Sequence, residues 1–386
     1  MGLVGLAHAS SHFSHLLLPV MFPVFMQEFG WRFSDLGLLA SVFFVVSGVG
    51  QASAGFVVDR WGARPVMWAS VALFVLACLA AASATGYPGM LLAAVLAGLG
   101  NCAFHPVDFT ILNQRVSSPR LGYAFSVHGL TGNLGWAAAP VFLTGFTAWS
   151  GWRSAYLPAA LLYAALLVLL VLRKDLLQTA PRPRAQPGQA AESALGFMRL
   201  PVVWWCFAFF MLSSMTLAVV QNFSVPILTA LQGVSLETAS MTLTAYMLCG
   251  AVGMLAGGLV AARHPRWSDR VVATCMAAAA LFMALCASGL FGAVGTLAVL
   301  AATGFAVGVG GPSRDLMIKK ATPRGATGRV YGLVYSGLDT GFAVSPLVFG
   351  LFMDRGWYAA TLLGGALVLL LSVGAALGVG RRSAAA

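Results

Sequence analysis

Apolar residues run along this chain in long blocks separated by short polar breaks. A helix that crosses a bilayer needs about 20 mostly apolar residues. Twelve blocks are long enough: 3–27, 36–58, 65–85, 88–112, 121–148, 153–173, 201–230, 236–262, 269–289, 293–317, 327–353 and 357–379. Some breaks are slight, such as the turn at 86–89 and the glycines at 289, 292 and 295. One polar stretch is long. Residues 174–199 hold Pro181, Arg182, Pro183, Arg184, Gln186, Pro187 and Gln189, which is linker composition. The pattern predicts an all-α membrane protein of twelve transmembrane helices. One bundle covers 1–173, a cytoplasmic linker 174–199, and a second bundle 200–386.

Composition agrees with the pattern. Of 386 residues, 59% are hydrophobic and 9% charged, and the mean hydropathy is +0.87. Soluble domains average about 45–50% apolar and about 25% charged. A soluble enzyme, a nucleic-acid binder and a disordered scaffold are therefore poor readings. The net charge of +11 would suit nucleic acid if the basic residues were clustered for it. Instead they follow the loops. With a cytoplasmic N-terminus, the even-numbered loops and the C-terminal tail hold 18 of the 22 Lys and Arg residues. The opposite loops hold Arg32, Arg153 and Arg355, and Arg314 lies inside a helix. This asymmetry predicts both termini in the cytoplasm and explains the basic balance without nucleic acid. No basic residue precedes the first block, so a retained first helix is expected rather than a cleaved signal. The six cysteines lie in apolar stretches without CxxC spacing and read as small packing residues.

The two bundles repeat each other. A shift of 206 residues aligns Pro106 with Pro312, Gly122 with Gly328, Phe125 with Tyr331 and Gly135 with Gly341. It also aligns Trp136 with Phe342, Ala137 with Ala343 and Pro140 with Pro346. Six helices per half keep both halves in one orientation, which is a 6+6 parallel pseudo-repeat about the membrane normal.

The loop after the second helix carries Gly55, Asp59, Arg60, Gly62 and Arg64. It resembles the signature between helices 2 and 3 of the major facilitator superfamily, a glycine followed by Asp-Arg, glycine and a basic residue. The counterpart around Gly258, Arg263 and Arg266 lacks the Asp. Phe104-His105-Pro106 and Gly132-Asn133-Leu134-Gly135 are similar to fosmidomycin-resistance-type exporters. Those usually place an acidic residue directly after His-Pro, where this chain has Val107 and then Asp108. The resemblance implies alternating access, with helices 1, 4, 7 and 10 lining a central cavity. Asp59 would meet the positive end of helix 11 near Thr327 and Gly328, a contact worth roughly 0.3–1 kcal/mol. Arg60 and Arg64 would add ion pairs to this cytoplasmic gate. The competing reading is an ordinary solvated loop charge.

Ionisable residues within spans are costly, about 2.5–3.5 kcal/mol at mid-bilayer for a charged one, so each calls for a partner or a role. The polar positions are His8, His12 and His15; Asn101, His105 and Asp108; His128 and Asn133; Gln221 and Asn222; Arg314 and Asp315; and Asp339. They fall in helices 1, 4, 5, 7, 10 and 11. His8, His12 and His15 share a helix face. They could contact a proton or substrate, hold the helix by hydrogen bonds, or bind metal. No carboxylate in that helix completes a metal set, and none is assigned. His105 and Asp108 also share a face, as a proton-handling pair or a structural bond. Asp339 reads as a coupling carboxylate or a neutral structural one. The 206 shift aligns Asp108 with Arg314, which predicts a pair across the axis. Arg314 alternatively binds an anionic group or reaches the cytoplasmic surface with its stem on apolar surface. The glycines of helices 5, 8 and 10 form small faces for close approach.

These readings predict a secondary active transporter in a bacterial-type inner membrane, multi-pass and monomeric. It would move a small polar or anionic solute, proton-coupled, with export favoured. The alternatives are a uniporter, an organic-anion importer or a non-transporting membrane sensor. No enzyme activity, no catalytic residue and no cofactor beyond the proton is expected, since neither a nucleophile–base motif nor a Walker sequence occurs.

Overall fold

The computed structural model describes residues 1–117, 121–179, 196–321 and 327–384. Among these, every extended element is helical: α1 (Gly2–His15), α2 (Phe22–Phe29), α3 (Phe33–Trp61), α4 (Ala63–Ser83), α5 (Tyr87–Asn101), α6 (Phe104–Arg115), α7 (Leu121–Ser150), α8 (Trp152–Leu172), α9 (Pro201–Gln232), α10 (Leu236–Arg263), α11 (Ser268–Ala287), α12 (Gly292–Ala321), α13 (Thr327–Asp354) and α14 (Tyr358–Ala384). Most of the expected linker, 180–195, lies outside the described residues.

Two of the apolar blocks are interrupted. The first stops at His15, passes through a 3-10 turn at Pro19–Met21 and resumes as α2. Proline lacks an N–H and its ring clashes with the carbonyl four residues back, which for Pro19 is that of His15. The fourth block divides at Cys102 and Ala103 into α5 and α6. Pro106 sits four residues beyond Cys102, so the same clash explains the break. These interruptions correct the expectation of single helices over 3–27 and 88–112. Proline is tolerated inside α7, α8, α9, α12 and α13.

Eleven helical stretches of the described residues are long and apolar enough to span a membrane, counting α1 with α2 and α5 with α6 as one each. Helix α7 is not among the eleven. It carries His128, Thr131, Asn133, Thr144 and Thr147, and it packs against α1, α8 and α10 rather than standing apart.

The packing falls into matched sets. In the first bundle α1 lies on α7, α3 on α5, and α4 on α8. In the second, α9 lies on α13, α10 on α12, and α11 on α14. The two most extensive contacts between the bundles are α3 with α13 and α7 with α10, and α9 also touches α2 and the turn at Pro19–Met21. The first is tight. A Cβ on Gly37 would come within 2.5 Å of the Pro346 carbonyl oxygen, and one on Gly350 within 3.0 Å of that of Phe33. Both Asp354 carboxylate oxygens accept the Ser34 N–H, at 3.3 and 3.2 Å, at the start of α3.

Candidate functional site

Five of the six histidines gather in the first bundle. Helix α1 supplies His8, His12 and His15 from one face, α6 supplies His105 and α7 supplies His128. Their approach depends on glycine. A Cβ on Gly132 would sit 2.6 Å from the His12 ring and 2.9 Å from that of His8, and one on Gly135 would strike the Ala9 carbonyl. The His8 ring stacks on that of His128, centroids 3.5 Å apart, and leans on His12 at 4.3 Å. His12 stacks on His15 at 5.1 Å and meets Trp136 at 4.1 Å.

His15 has a structural role. Trp136 Nε1 donates to His15 Nδ1 at 3.2 Å. Indole nitrogen only donates, so His15 carries its proton on Nε2 and gives it to Asn101 Oδ1 at 3.1 Å. Ser11 Oγ donates to the same oxygen at 2.6 Å, and Asn101 Nδ2 donates to Ser47 Oγ at 2.9 Å. This buried hub ties α1, α3, α5 and α7. Of these groups, Ser11, Ser47 and Trp136 were not predicted as polar partners.

Asp108 is fully buried and shares a 3.0 Å hydrogen bond with His128 Nε2 through its Oδ2. Its Oδ1 has no hydrogen-bond partner. The expected pairing with His105, three residues earlier, does not form. His105 turns instead to Gln51, whose Oε1 accepts from Nδ1 at 3.0 Å. Gln51 Nε2 then donates to Asp339 Oδ2 at 3.0 Å, joining the two bundles through α3 and α13. Gln51 was missed because one amide at the end of an apolar block carries no pattern of its own. The backbone approach at Gly48, 3.1 Å from Asp339 Cβ for an added Cβ, is what brings that carboxylate within reach.

The remaining predicted residues lie apart. Arg314 does not meet Asp108. Its Nε donates to Asp315 Oδ1 at 2.9 Å, and its guanidinium lies 5.1 Å from the centre of the Phe210 ring. Phe210 in turn packs on Tyr335, and Tyr335 on His105. The axis is therefore crossed by rings and by Gln51, because Asp108 already has an imidazole partner in its own bundle. Asn133 faces the other bundle: its Nδ2 bonds the Gly129 carbonyl at 3.2 Å, and a Cβ on Gly250 would lie 3.7 Å from its Oδ1. Gln221 and Asn222 are buried on α9 with their amide nitrogens unpartnered. Neighbouring Phe223 meets Phe33 at the start of α3, so this pair sits toward that end.

In the predicted gate motif, Gly62 adopts φ +80°, a conformation that favours glycine, and ends α3. Thr179 Oγ1 accepts the Ala63 N–H at 3.0 Å, capping the next helix from the start of the linker. Arg60 is exposed, and the Arg64 guanidinium lies 5.4 Å from the Trp68 ring centre. The side chain of Asp59 and the surroundings of Gly55, and those of Thr327 and Gly328 at the start of α13, are not among what the structure describes.

Comparison with known proteins places this geometry. The sequence profile of the Major Facilitator Superfamily matches residues 4–225 and 212–385. A probable 4-methylmuconolactone transporter of Cupriavidus pinatubonensis is 26% identical over 195 residues, 48% of this chain and 44% of that protein. The fosmidomycin resistance protein of Escherichia coli is 24% identical over 269 residues, 67% of this chain and 64% of that protein. The chain thus spans less than two thirds of the length of either relative. The crystal structure of a bacterial homolog of the human lysosomal transporter Spinster, inward-facing and occupied, has a TM-score of 0.71 at 13% identity. It covers 99% of this chain and 95% of that one, a likeness of fold. With its profile matched across nearly the whole length and its many apolar helices, this chain belongs to the Major Facilitator Superfamily as a multi-pass membrane protein.

Proposed function

We propose that the protein is a secondary transporter that moves a small polar or anionic solute by alternating access, driven by protons, with export favoured. The observation that carries the reading is the bridge from Asp339 through Gln51 to His105, beside the buried His128–Asp108 pair. It sets two intramembrane carboxylates on either side of the bundle interface, Asp108 bonded to an imidazole directly and Asp339 through Gln51. A proton gained or lost at Asp339 changes which atoms Gln51 can bond, and hence how the bundles hold together. No cofactor besides the proton enters this scheme.

In this reading α7 is the twelfth span, with both termini cytoplasmic in a bacterial-type inner membrane. The matched helix pairs support a 6+6 parallel repeat. So do the faces of Asn133 against Gly250 and Asp339 against Gly48, one at each main contact between the bundles. The second reading is a uniporter or an organic-anion importer. It is favoured by Arg314, whose part-exposed guanidinium lies at the ring path leading to His105.

Reconstitution into proteoliposomes with an internal pH dye tests the proposal against a panel of small polar and anionic solutes. Asp108→Asn and Asp339→Asn should each retain solute exchange and lose accumulation against a gradient. Accumulation surviving in both variants overturns proton coupling at these sites. Transport of neither solute nor proton by the unaltered protein overturns the transporter reading.

A further inference from the structure

Three imidazoles converge where α1 meets α6. One ring nitrogen from each of His8, His12 and His105 lies within 4.8 Å of the other two. Hydrogen bonds set two of the tautomers. A carbonyl only accepts, so His8 gives its Nδ1 proton to the His128 carbonyl at 2.9 Å and keeps a lone pair on Nε2. That Nε2 is buried without a partner. The Gln51 amide is oriented by its bond to Asp339, so its Oε1 takes the Nδ1 proton of His105. The Nε2 lone pair of His105 is left for another bond. His12 Nδ1 is likewise buried and unpartnered. A ring nitrogen bonded to an acceptor, with the other presenting its lone pair, is the arrangement of histidines that ligate metals.

We infer that His8, His12 and His105 form a binding site for a first-row divalent cation of the zinc class. Neutral imidazole suits Zn2+, Co2+, Ni2+ and Cu2+, whereas Mg2+ and Ca2+ require oxygen ligands. The sequence alone pointed away from metal because helix 1 offers no carboxylate. The fold supplies the third imidazole from α6. His15 is not a ligand, since Trp136 and Asn101 occupy both of its ring nitrogens. Zn–N bonds of about 2.0–2.1 Å place tetrahedral nitrogens about 3.4 Å apart, a spacing that ring nitrogens within 4.8 Å of one another reach by small shifts of the rings. Gly132, lacking a side chain, leaves them that room.

Charge and access favour this triad. A dication in a low-dielectric bundle needs a compensating anion. A carboxylate oxygen of Asp108 lies within 4.8 Å of a His8 ring nitrogen, and its Oδ1 has no partner. Asp339 adds a second acidic group through Gln51. His8, Asp108 and His128 also cluster within 4.8 Å, but all three are buried, and His128 Nε2 is already bonded to Asp108. His12 and His105 are part-exposed, which gives an ion a way in and leaves a fourth position for water or an anion.

The test uses the full chain, free of any histidine tag, in detergent micelles. Calorimetric titration with Zn2+ should give one ion per chain, and Co2+ should show the absorption of a tetrahedral site. His12→Gln and His105→Gln should each weaken binding more than about tenfold, given that loss of even an outer-shell partner costs about 10–100-fold. His105→Cys should keep binding and add a thiolate-to-cobalt band, which separates lost ligation from lost folding. His264→Gln, on the exposed turn after α10, should bind as the unaltered chain does. Absence of saturable binding overturns the site. So does unchanged affinity in folded His12→Gln and His105→Gln, or affinity that depends on His128 and Asp108 but not on His105.

Discussion

Both bundles bring helix backbones together at glycines, as at Gly98 on Phe43 and Gly253 on Phe305, but they differ in what else fills the space. In the second, α10 and α12 meet backbone on backbone. A Cβ on Gly253 or Gly257 would run into the carbonyl of Phe305 or Val309, and one on Gly304 or Gly308 into that of Tyr246 or Gly250. In the first, the space over Gly132 is filled by imidazole rings, and polar side chains bond from helix to helix. The proline breaks follow the same division. Pro106 divides α5 from α6, while α12 runs unbroken through Pro312, its equivalent at the shift of 206. Four residues before Pro312 stands Gly308, with no side chain to restrict how the backbone yields; four before Pro106 stands Cys102. Close packing alone therefore does not make a site. The first bundle has one because Gly132 leaves room for titratable rings, where the glycines facing across α10 and α12 meet backbone.

The sharpest way to break this comparison is to add atoms to each small face. Gly308→Leu drives a side chain into the Gly250 backbone, which cannot swing aside. Overpacking costs about 1–3 kcal/mol where neighbours can shift, and more here. The variant should lose monodisperse protein or unfold well below the unaltered chain. Gly132→Ala meets only the ends of the His8 and His12 rings, so its melting temperature should fall less while transport falls more. Equal thermal losses in the two variants would remove the distinction.

Gln51→Leu comes next. It deletes the bond to Asp339 and the bond from His105 together. Hydrogen bonds to charged groups contribute about 1.5–3 kcal/mol and neutral ones about 1, less whatever water restores. Accumulation in proteoliposomes should fall strongly while the Asn101 hub, which shares no atom with Gln51, stays intact. Gln51→Glu reverses the sign of the test by placing a carboxyl against Asp339. A variant that transports as well as the unaltered chain would reduce the bridge to packing.

The sequence carried the helices plainly, because burial in lipid demands continuous apolar runs and leaves few other patterns. It also carried the polar inventory: His8, His105, Asp108, His128 and Asp339 are each placed at buried or part-buried contacts between helices. Partners were harder to read. The shift of 206 aligns Asp108 with Arg314, yet each found a nearer partner, His128 and Asp315. Helical spacing paired Asp108 with His105, but the break at Pro106 and the stacking of α7 brought His128 to it instead. The bond from Trp136 to His15 depends on how α1 sits on Gly135, which no local pattern encodes.

Trp136→Phe is a finer probe of that hub. It removes the indole donor and leaves the aromatic packing largely in place. Loss of one hydrogen bond to a buried neutral acceptor costs about 1 kcal/mol. A small drop in melting temperature is expected, with affinity for Zn2+ retained or raised, since His15 Nδ1 becomes available. Asn101→Leu should cost more, because three bonds meet on that side chain. The reverse order would place the hub at Trp136.

The smallest effect lies at the far end of the contact between α3 and α13, where Asp354 accepts the Ser34 N–H at the beginning of α3. Helix N-termini leave backbone donors unpaired and carry partial positive charge, so a carboxylate there stabilises by about 0.3–1 kcal/mol. The site is exposed, so salt screens it. Asp354→Asn keeps an acceptor oxygen and removes the charge, which confines the loss to the electrostatic part. Labelling of an introduced Ser34→Cys by a membrane-impermeant maleimide should quicken slightly on adding Asp354→Asn, and more on adding Asp354→Lys. The differences should shrink as salt rises, because the contact is worth less once screened. If Asp354→Lys labels no faster than the parent at low salt, α3 and α13 are held by the approach of Gly37 to Pro346 and of Gly350 to Phe33, without help from the carboxylate.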